Sequence, residues 1–224
     1  MNLKSGYPYF LFKSGLKAEE YTKLQSIKTT DVVIRGGSYS GSLAEYHLPQ
    51  KGISSIVVDL RSIGLGNTCA STSLLQKYIE RSLLQLKSTF ALTSKLLSTK
   101  SPFWKDDILL WNTGDPYLYL RTIPDNSILK GIKDEDFYSP EKRDALLVSK
   151  TRSLVKEFKK LTPKKPFAPQ FNLAGTFGSS KIGLPFIGTY KKLHNSFLAL
   201  GFGGNGITFS LIAAEMTSAD LAWK

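Results

Sequence analysis

The chain has 224 residues, 42% of them hydrophobic and 21% charged, an ordinary composition for a globular protein that buries a core. A single cysteine, Cys69, excludes an internal disulfide and gives no sign of an oxidising compartment. No stretch reaches the roughly 18 uninterrupted apolar residues that a membrane-spanning helix needs, and the first residues lack the apolar run of a secretory signal. These features predict a cytoplasmic protein without a membrane span.

The formal net charge of +12 would attract nucleic acid or anionic lipid at long range. Lysines are nevertheless spread along the whole chain, and the densest group lies where a predicted helix ends, a place that favours cations. That group comprises Lys156, Lys159, Lys160, Lys164 and Lys165. Because no arginine-rich motif or RNA-type aromatic signature accompanies it, the sequence predicts a solvated basic surface and no specific nucleic-acid partner.

The N-terminal part alternates between strand and helix signals. Residues 1–30 are polar with isolated aromatics and predict an irregular arm. A β-branched run over 31–34 predicts a buried parallel strand that ends at glycines. A helical face over 43–48 and a second apolar run over 56–58 follow. Strand, glycine turn, helix and strand within about 30 residues indicate a βαβ unit.

The middle of the chain changes character, with short aromatic-rich segments separated by Pro, Gly and Asp. These segments, 83–93, 106–112, 117–123 and 127–131, predict an antiparallel sheet. Ser139 then caps the clearest helix of the chain, with Pro140 in its first position and Pro163 beyond its end. Strands over 171–177, 185–190 and 196–201 and a helix over 206–223 complete the prediction.

The glycine turn over 36–41 occupies the span of the G-x-G-x-x-G fingerprint of dinucleotide-binding folds. Gly36 permits a tight turn, Gly41 lets helix and strand pack closely, and the helix start offers N–H groups to phosphate. Asp59 follows about 18 residues after Gly41, where an acid accepts hydrogen bonds from ribose hydroxyls. The alternative is that the glycines only shape a turn and Asp59 is a solvated strand end.

Three residues depart from the fingerprint and argue for weakened binding. Ser38 stands at the third position, where a side chain intrudes on the closest approach of the phosphate. Arg35 ends a strand that should be buried on both faces, which is costly for a lone cation. Pro49 falls late in the helix and removes a backbone hydrogen bond.

Three segments resemble the FAD-dependent D-amino-acid oxidase and glycine oxidase family. From Asp59 to Thr72 the ribose-binding acid precedes a basic residue and a Gly/Ser/Thr-rich loop. Gly183–Gly188 is similar to the family's G-x-P-x-I-G element, and Gly201–Thr208 is similar to the glycine-rich turn before its last helix. The resemblance implies FAD as the cofactor. It also implies that the last turn faces the pyrimidine edge of the flavin, where negative charge accumulates on reduction.

The glycine fingerprint and the resemblance together predict the cofactor-binding residues. They are Gly36, Gly37, Ser38, Tyr39, Ser40, Gly41, Asp59, Leu60, Arg61, Gly66, Asn67, Thr68, Ala70, Ser71, Gly203, Gly204, Asn205, Gly206, Ile207 and Thr208. Family members usually place a carboxylate-binding arginine shortly before the G-x-P-x-I-G element, but residues 174–178 contain none. Arg121 is therefore the candidate catalytic residue, as a clamp for a substrate carboxylate, against the alternative of a surface or structural arginine.

The predicted fold class is α/β: a Rossmann-like FAD-binding βαβ unit with a mixed or antiparallel substrate-domain sheet, incomplete relative to the family. The expected domains are the arm over 1–30, the first FAD-binding part over 31–82, the sheet and helix over 83–170, and a return to the FAD-binding domain over 171–224. Family members are much longer, with a large segment where only a short helical connection over 76–81 stands here. The chain therefore resembles a truncated member whose uncovered sheet offers a surface for self-association.

Two main hypotheses of function follow. The first is an FAD-dependent oxidoreductase that oxidises a small-molecule amine or amino acid by hydride transfer to flavin. The second is a truncated, catalytically inactive relative that at most binds nucleotide; a basic nucleic-acid-binding module is the third. Neither His47 nor His194 has a visible carboxylate partner in the sequence, so neither is a candidate catalytic residue. No His/Cys/Asp cluster has metal-ligand spacing, so no metal is expected.

Overall fold

The structure is a computed structural model in which residues 4–6, 8–13, 21–71, 86–95, 109–111, 118–123, 127–136, 139–163, 167–180 and 182–222 are described. The strands are β1 (Lys4–Gly6), β2 (Val32–Arg35), β3 (Ser55–Val58), β4 (Leu86–Lys95), β5 (Leu109–Trp111), β6 (Leu118–Ile123), β7 (Ser127–Glu135), β8 (Ala168–Gly178), β9 (Phe186–Tyr190) and β10 (Leu193–Leu200). The α-helices are α1 (Tyr9–Lys13), α2 (Tyr39–His47), α3 (Pro140–Leu161) and α4 (Gly206–Ala222). Short 3-10 helices span Pro49–Lys51, Asn67–Ala70 and Gly203–Asn205. The connection over 76–81 lies outside the described residues.

The chain divides into two compact units, each made of two separate stretches. The first unit comprises Met1–Gly15 and Leu86–Thr176, and the second comprises Leu16–Gln85 and Phe177–Lys224. The second stretch of the second unit begins at Phe177, near the end of β8, whose earlier residues pair with β1 in the sheet of the first unit.

The first unit is built on a six-stranded sheet in the order β1-β8-β4-β7-β6-β5. The pairs β4–β7, β6–β7, β5–β6 and β1–β8 are antiparallel, which confirms the antiparallel sheet predicted for the middle of the chain. β7 extends to Glu135, beyond the predicted end at 131, because its last residues pair with the start of β4. The mixed α/β class with an incomplete nucleotide-binding unit is likewise confirmed.

The N-terminal arm is more regular than the sequence indicates. Lys4–Gly6 forms the edge strand β1, with Ser5 opposite Ala174 of β8, and Tyr9–Lys13 forms a short helix. Tyr9 is buried and makes an edge-to-face contact with Phe171 of β8. Tyr9, one of the isolated aromatics that suggested an irregular arm, thus packs on the sheet. Polar strand residues such as Lys4 gave no alternating pattern by which β1 could be recognised.

Helix α3 begins where the sequence predicts. The Ser139 hydroxyl accepts a hydrogen bond from the Lys142 backbone N–H at 3.2 Å, and Pro140 occupies the first turn. The buried face of the helix packs on the sheet through Leu154 and Phe158, and the Phe158 ring stacks on Phe167 with centroids 3.9 Å apart. This apolar cluster is the core of the first unit.

Arg143 is fully buried at the start of α3, with 0% of its surface exposed. Its guanidinium donates to the Lys4 carbonyl at 2.9 Å, the Ser5 hydroxyl at 2.9 Å and the Thr176 hydroxyl at 3.3 Å, and contacts the Asp144 carboxylate at 3.1 Å. Because a buried cation is costly unless it is hydrogen-bonded, these contacts are what make this position tolerable. Arg143 therefore joins the start of α3 to β1 and β8, which are neighbours in the sheet but come from opposite ends of the unit's sequence.

Lys130 is a second buried cation, on β7 and also 0% exposed. Its ammonium donates to the Leu154 carbonyl of α3 at 2.6 Å and lies 5.9 Å from the centre of the Phe158 ring. The hydrogen bond and the cation–π contact together compensate part of the desolvation cost. Lys130 thus fixes the middle of α3 to the central strands.

The second unit contains the predicted βαβ arrangement. β2 and β3 are parallel, with Ile34 opposite Val57, and α2 connects them. The prediction that β2 is buried on both faces is wrong: the Val33 side chain is 64% exposed and Arg35 is exposed as well. Burial on both faces needs covering elements on both sides. Among the described residues this sheet has only two strands.

The end of α2 and the C-terminal elements complete the second unit. α2 ends at His47, and Pro49 opens a separate 3-10 turn, so the predicted loss of a bond inside the helix is wrong. β9 and β10 form an antiparallel hairpin, and α4 packs against α2. Across the part of the chain that the structure describes, no helix is long and apolar enough to cross a membrane.

Replacing Arg143 tests its contribution to stability. We expect Arg143→Met to lower the free energy of unfolding by roughly 2–4 kcal/mol, because the Lys4 carbonyl and the Ser5 and Thr176 hydroxyls lose a buried donor. Denaturant unfolding followed by circular dichroism measures the loss. Arg152→Met, an exposed position on the same helix, is the matched control and should change stability by less than about 0.5 kcal/mol. Equal effects of the two substitutions would contradict this role.

Candidate functional site

The glycine turn between β2 and α2 is held by a close backbone contact. A Cβ on Gly41 would lie 1.8 Å from the Gly36 carbonyl oxygen, so only glycine permits this approach of helix to strand. Gly36 adopts a positive φ of 110°, a conformation that side chains disfavour. Ser38 is the N-cap residue of α2, exposed, and its side chain makes no capping hydrogen bond.

Asp59, at the end of β3, binds the same turn from the other side. Its carboxylate accepts the Gly37 backbone N–H at 2.7 Å through Oδ2 and the Arg61 backbone N–H at 2.9 Å through Oδ1. Each carboxylate oxygen has two lone pairs, so both oxygens can accept a further hydrogen bond. Asp59 is therefore fixed in place and still able to bind hydroxyl groups.

The pKa of the Asp59 carboxyl reflects these contacts. Burial acts to raise the pKa, but hydrogen bonds from the Gly37 and Arg61 backbones and the Arg61 charge outweigh it, so that the pKa lies below the ordinary range. Asp31, at the opposite end of the same two strands, also has a lowered pKa, because the Ser54 hydroxyl and backbone N–H donate to it. Both carboxylates are ionised at neutral pH.

The loop after Asp59 folds back on the glycine turn. The Gly64 N–H donates to the Gly37 carbonyl at 3.0 Å, and a Cβ on Gly37 would lie 2.6 Å from the Ile63 side chain. Leu60 is 95% exposed, whereas Cys69 is buried and its thiol donates to the Gly66 carbonyl at 3.1 Å. Gly66, Asn67, Thr68, Ala70 and Ser71 therefore belong to an ordered turn, and Cys69 has a packing role there.

The first turn of α2 lies against the N-terminal half of α4. The Ser40 hydroxyl, in the first turn of α2, lies 2.9 Å from the Ser210 hydroxyl, in the second turn of α4. Since backbone N–H groups at a helix start have no partner within the helix, two such starts concentrate donors and positive dipole ends in one region. This region can hold an anionic group.

The turn before α4 also depends on glycine. Gly201 and Gly203 have positive φ angles of 74° and 60°. Asn205 is 4% exposed, and its side-chain oxygen has no hydrogen-bond partner among the described residues. A Cβ on Gly204 or Gly206 would meet no atom within 4 Å, so the turn borders open space. An orphaned acceptor beside open space fits a ligand with donor groups, as FAD has.

All of the predicted cofactor-binding residues belong to the second unit, including Tyr39, Ile207 and Thr208 at the two helix starts. Sequence reasoning missed Ser210. The sequence pattern that could have indicated Ser210 is a row of small residues on α4 at four-residue spacing. The row consists of Gly206, Ser210, Ala214 and Ser218, of which the last three are buried. Such a row lets helices approach closely, but it does not reveal which helix is the partner.

Arg121 belongs to the first unit. It lies on β6 between Leu109 of β5 and Leu129 of β7, and its guanidinium is 5.7 Å from the centre of the Phe10 ring. The exposed cations Arg152, Lys156, Lys159 and Lys160 follow the outer side of α3; Lys164 and Lys165 lie outside the described residues. Within the described ranges, no group of His, Cys, Asp and Glu side chains could hold a metal ion.

The lowered pKa values predict an acid-dependent loss of stability. Because the folded chain binds protons on Asp59 and Asp31 less tightly than the unfolded chain, their ionised forms stabilise the fold at neutral pH. This contribution disappears as the pH falls below about 4. We expect Asp59→Asn and Asp31→Asn each to lower the thermal midpoint at pH 7 and to match the wild type near pH 2. A difference that stays constant with pH would contradict the assignment.

Comparison with known proteins places the chain in a family. Residues 85–219 match the sequence profile of the DAO family, described as FAD dependent oxidoreductase. No curated protein matches the sequence. Among solved structures, the fold is similar to glycine oxidase from Bacillus cereus ATCC 14579, with a TM-score of 0.62 and 10% identity over 87% of this chain and 97% of that chain.

A second similar structure is iminodiacetate oxidase from Chelativorans sp. BNC1, with a TM-score of 0.51 and 12% identity over 64% of this chain. This chain covers 37% of that protein, so it is short beside this relative. Both likenesses show a shared fold. Because the family profile matches more than half of the sequence, the chain belongs to the DAO family of FAD-dependent oxidoreductases.

Proposed function

We propose that the chain binds FAD in its second unit and oxidises a small amine or amino acid. The observation that carries the proposal is the convergence of two glycine turns: the Gly36–Gly41 turn, fixed by Asp59, and the Gly203–Gly206 turn, joined to it through Ser40 and Ser210. The two similar structures are a glycine oxidase and an iminodiacetate oxidase, and both names support an amine substrate.

Each part of the site has a distinct task in this proposal. The backbone N–H groups at the start of α2 would bind the diphosphate, and the Asp59 carboxylate would accept hydrogen bonds from ribose hydroxyls. The positive end of α4 would stabilise negative charge on the bound cofactor. When bound, FAD supplies the acceptor for a hydride from a carbon that bears an amine. Arg121 would bind the carboxylate of an amino-acid substrate as a two-pronged donor.

A second candidate is a truncated, catalytically inactive relative. It is favoured by the two-stranded parallel sheet, by the 64% exposure of Val33, and by Ser38 at the third position of the fingerprint, where its second glycine would stand. A sheet face without a cover also supports self-association as part of this alternative.

In either case we propose a cytoplasmic location, because the only cysteine, Cys69, is buried and leaves no disulfide to form.

Cofactor binding is tested with the two matched aspartates. We expect the wild-type chain to bind one equivalent of FAD and Asp59→Asn to raise the dissociation constant at least tenfold, because a charged acceptor for the ribose is lost. Asp31→Asn, which removes a comparable carboxylate at the far end of the same strands, should retain wild-type affinity. Flavin absorbance and fluorescence titration give both values. A colourless wild-type protein that gains no absorbance in excess FAD would favour the second candidate.

Substrate recognition is tested at Arg121. We expect FAD-loaded protein to be reduced faster by an amino acid than by the amine that lacks its carboxylate, and Arg121→Met to remove this preference. Anaerobic bleaching of the flavin absorbance measures the reduction, and the FAD content of the variant serves as the check that the fold is intact. Arg152→Met is the control for loss of one positive charge. If Arg121→Met shows the same preference as wild type, Arg121 is not the carboxylate clamp.

A further inference from the structure

Two serine hydroxyls between α2 and α4 form a hydrogen-bond chain with a fixed direction. Ser210 is buried, and its hydroxyl lies 2.6 Å from the Gly206 carbonyl and 2.9 Å from the Ser40 hydroxyl. A serine has one proton to donate, and a carbonyl oxygen can only accept. The Ser210 proton is therefore directed to Gly206. The contact between the two serines must then be made by the proton of Ser40.

This direction determines what Ser40 can offer to a ligand. Its proton is used on Ser210, so the Ser40 oxygen presents only lone pairs at the start of α2. A phosphate oxygen also presents only lone pairs, and two acceptors do not form a hydrogen bond. The hydroxyl that the fingerprint places among the cofactor contacts is thus unavailable to a diphosphate.

We infer that Ser40 is a positioning residue, which joins α2 to α4, and that the diphosphate is held by backbone N–H groups without its hydroxyl. The inference rests on the proposed FAD site and adds the role of this hydroxyl pair. Ser40 directly precedes Gly41, the glycine in contact with Gly36, so the first turn of α2 is fixed both to its own strand and to the C-terminal helix. The two glycine turns are thereby held in one arrangement before a ligand arrives.

A double-mutant cycle of unfolding, measured without nucleotide, tests the hydrogen bond between Ser40 and Ser210. Ser40→Ala should raise the equilibrium constant for unfolding about fivefold, and Ser210→Ala by at least as much, because Ser210 also loses its bond to Gly206. The double substitution should raise the constant no further than Ser210→Ala alone, because the bond between the two serines is lost only once. Ser42→Ala, an exposed serine on the same helix, is the control and should leave the constant unchanged. Ser40→Thr retains a hydroxyl and should keep the coupling. Additive effects of the two alanine substitutions would overturn the inference.

Titration with ADP, which carries a diphosphate but no flavin, tests whether the Ser40 hydroxyl binds the diphosphate. Ser40→Ala and Ser210→Ala should both bind ADP within about twofold of wild type, because Gly41 and Asp59 still hold the turn. If the Ser40 hydroxyl instead donated to phosphate, Ser40→Ala alone would weaken ADP binding about tenfold. That result would overturn the inference. If wild type binds neither ADP nor FAD, the proposed function fails, while the unfolding cycle still decides the role of the hydroxyl pair.

Discussion

The second unit depends on the contact between the Gly41 backbone and the Gly36 carbonyl. At this point a side chain of any size would separate α2 from β2. The close approach brings the first turn of α2 beside the end of β3, where Asp59 binds Gly37, and beside α4, where Ser210 meets Ser40. One glycine thus makes possible two polar contacts from different parts of the chain. The glycines of the dinucleotide fingerprint therefore set the packing of helix on strand as well as the predicted ligand site.

The first unit is organised differently, around two buried cations under one helix. Arg143 joins the start of α3 to β1 and β8, and Lys130 joins its middle to β7. Burying a charge costs free energy unless polar groups compensate it. The Arg143 guanidinium has a carbonyl, two hydroxyls and a carboxylate around it, and the Lys130 ammonium has a carbonyl and an aromatic ring. The consequence is a helix whose position on the sheet is set by polar contacts as well as by the Leu154 and Phe158 side chains.

Local features were predictable from sequence, and features that require distant partners were not. The Ser139 cap, the strand segments and the Asp59 position depend on short-range patterns, and all three are found in the structure. The burial of Arg143 and Lys130 escaped prediction because it depends on acceptors far along the chain. The exposure of Val33 was missed for the converse reason: a β-branched run predicts a strand but not what covers it. Ser210 was missed because small residues at four-residue spacing do not identify the facing helix.

The division of each unit into two stretches has a consequence for synthesis on the ribosome. β1 is synthesised long before its partners Arg143 and β8. α2 likewise pairs only once α4 has been made, since Ser40 contacts Ser210. Neither unit is a continuous nascent segment, and such long-range pairing slows folding and exposes apolar surface in the interval. The exposed surface is a target for holding chaperones until β8 and α4 emerge.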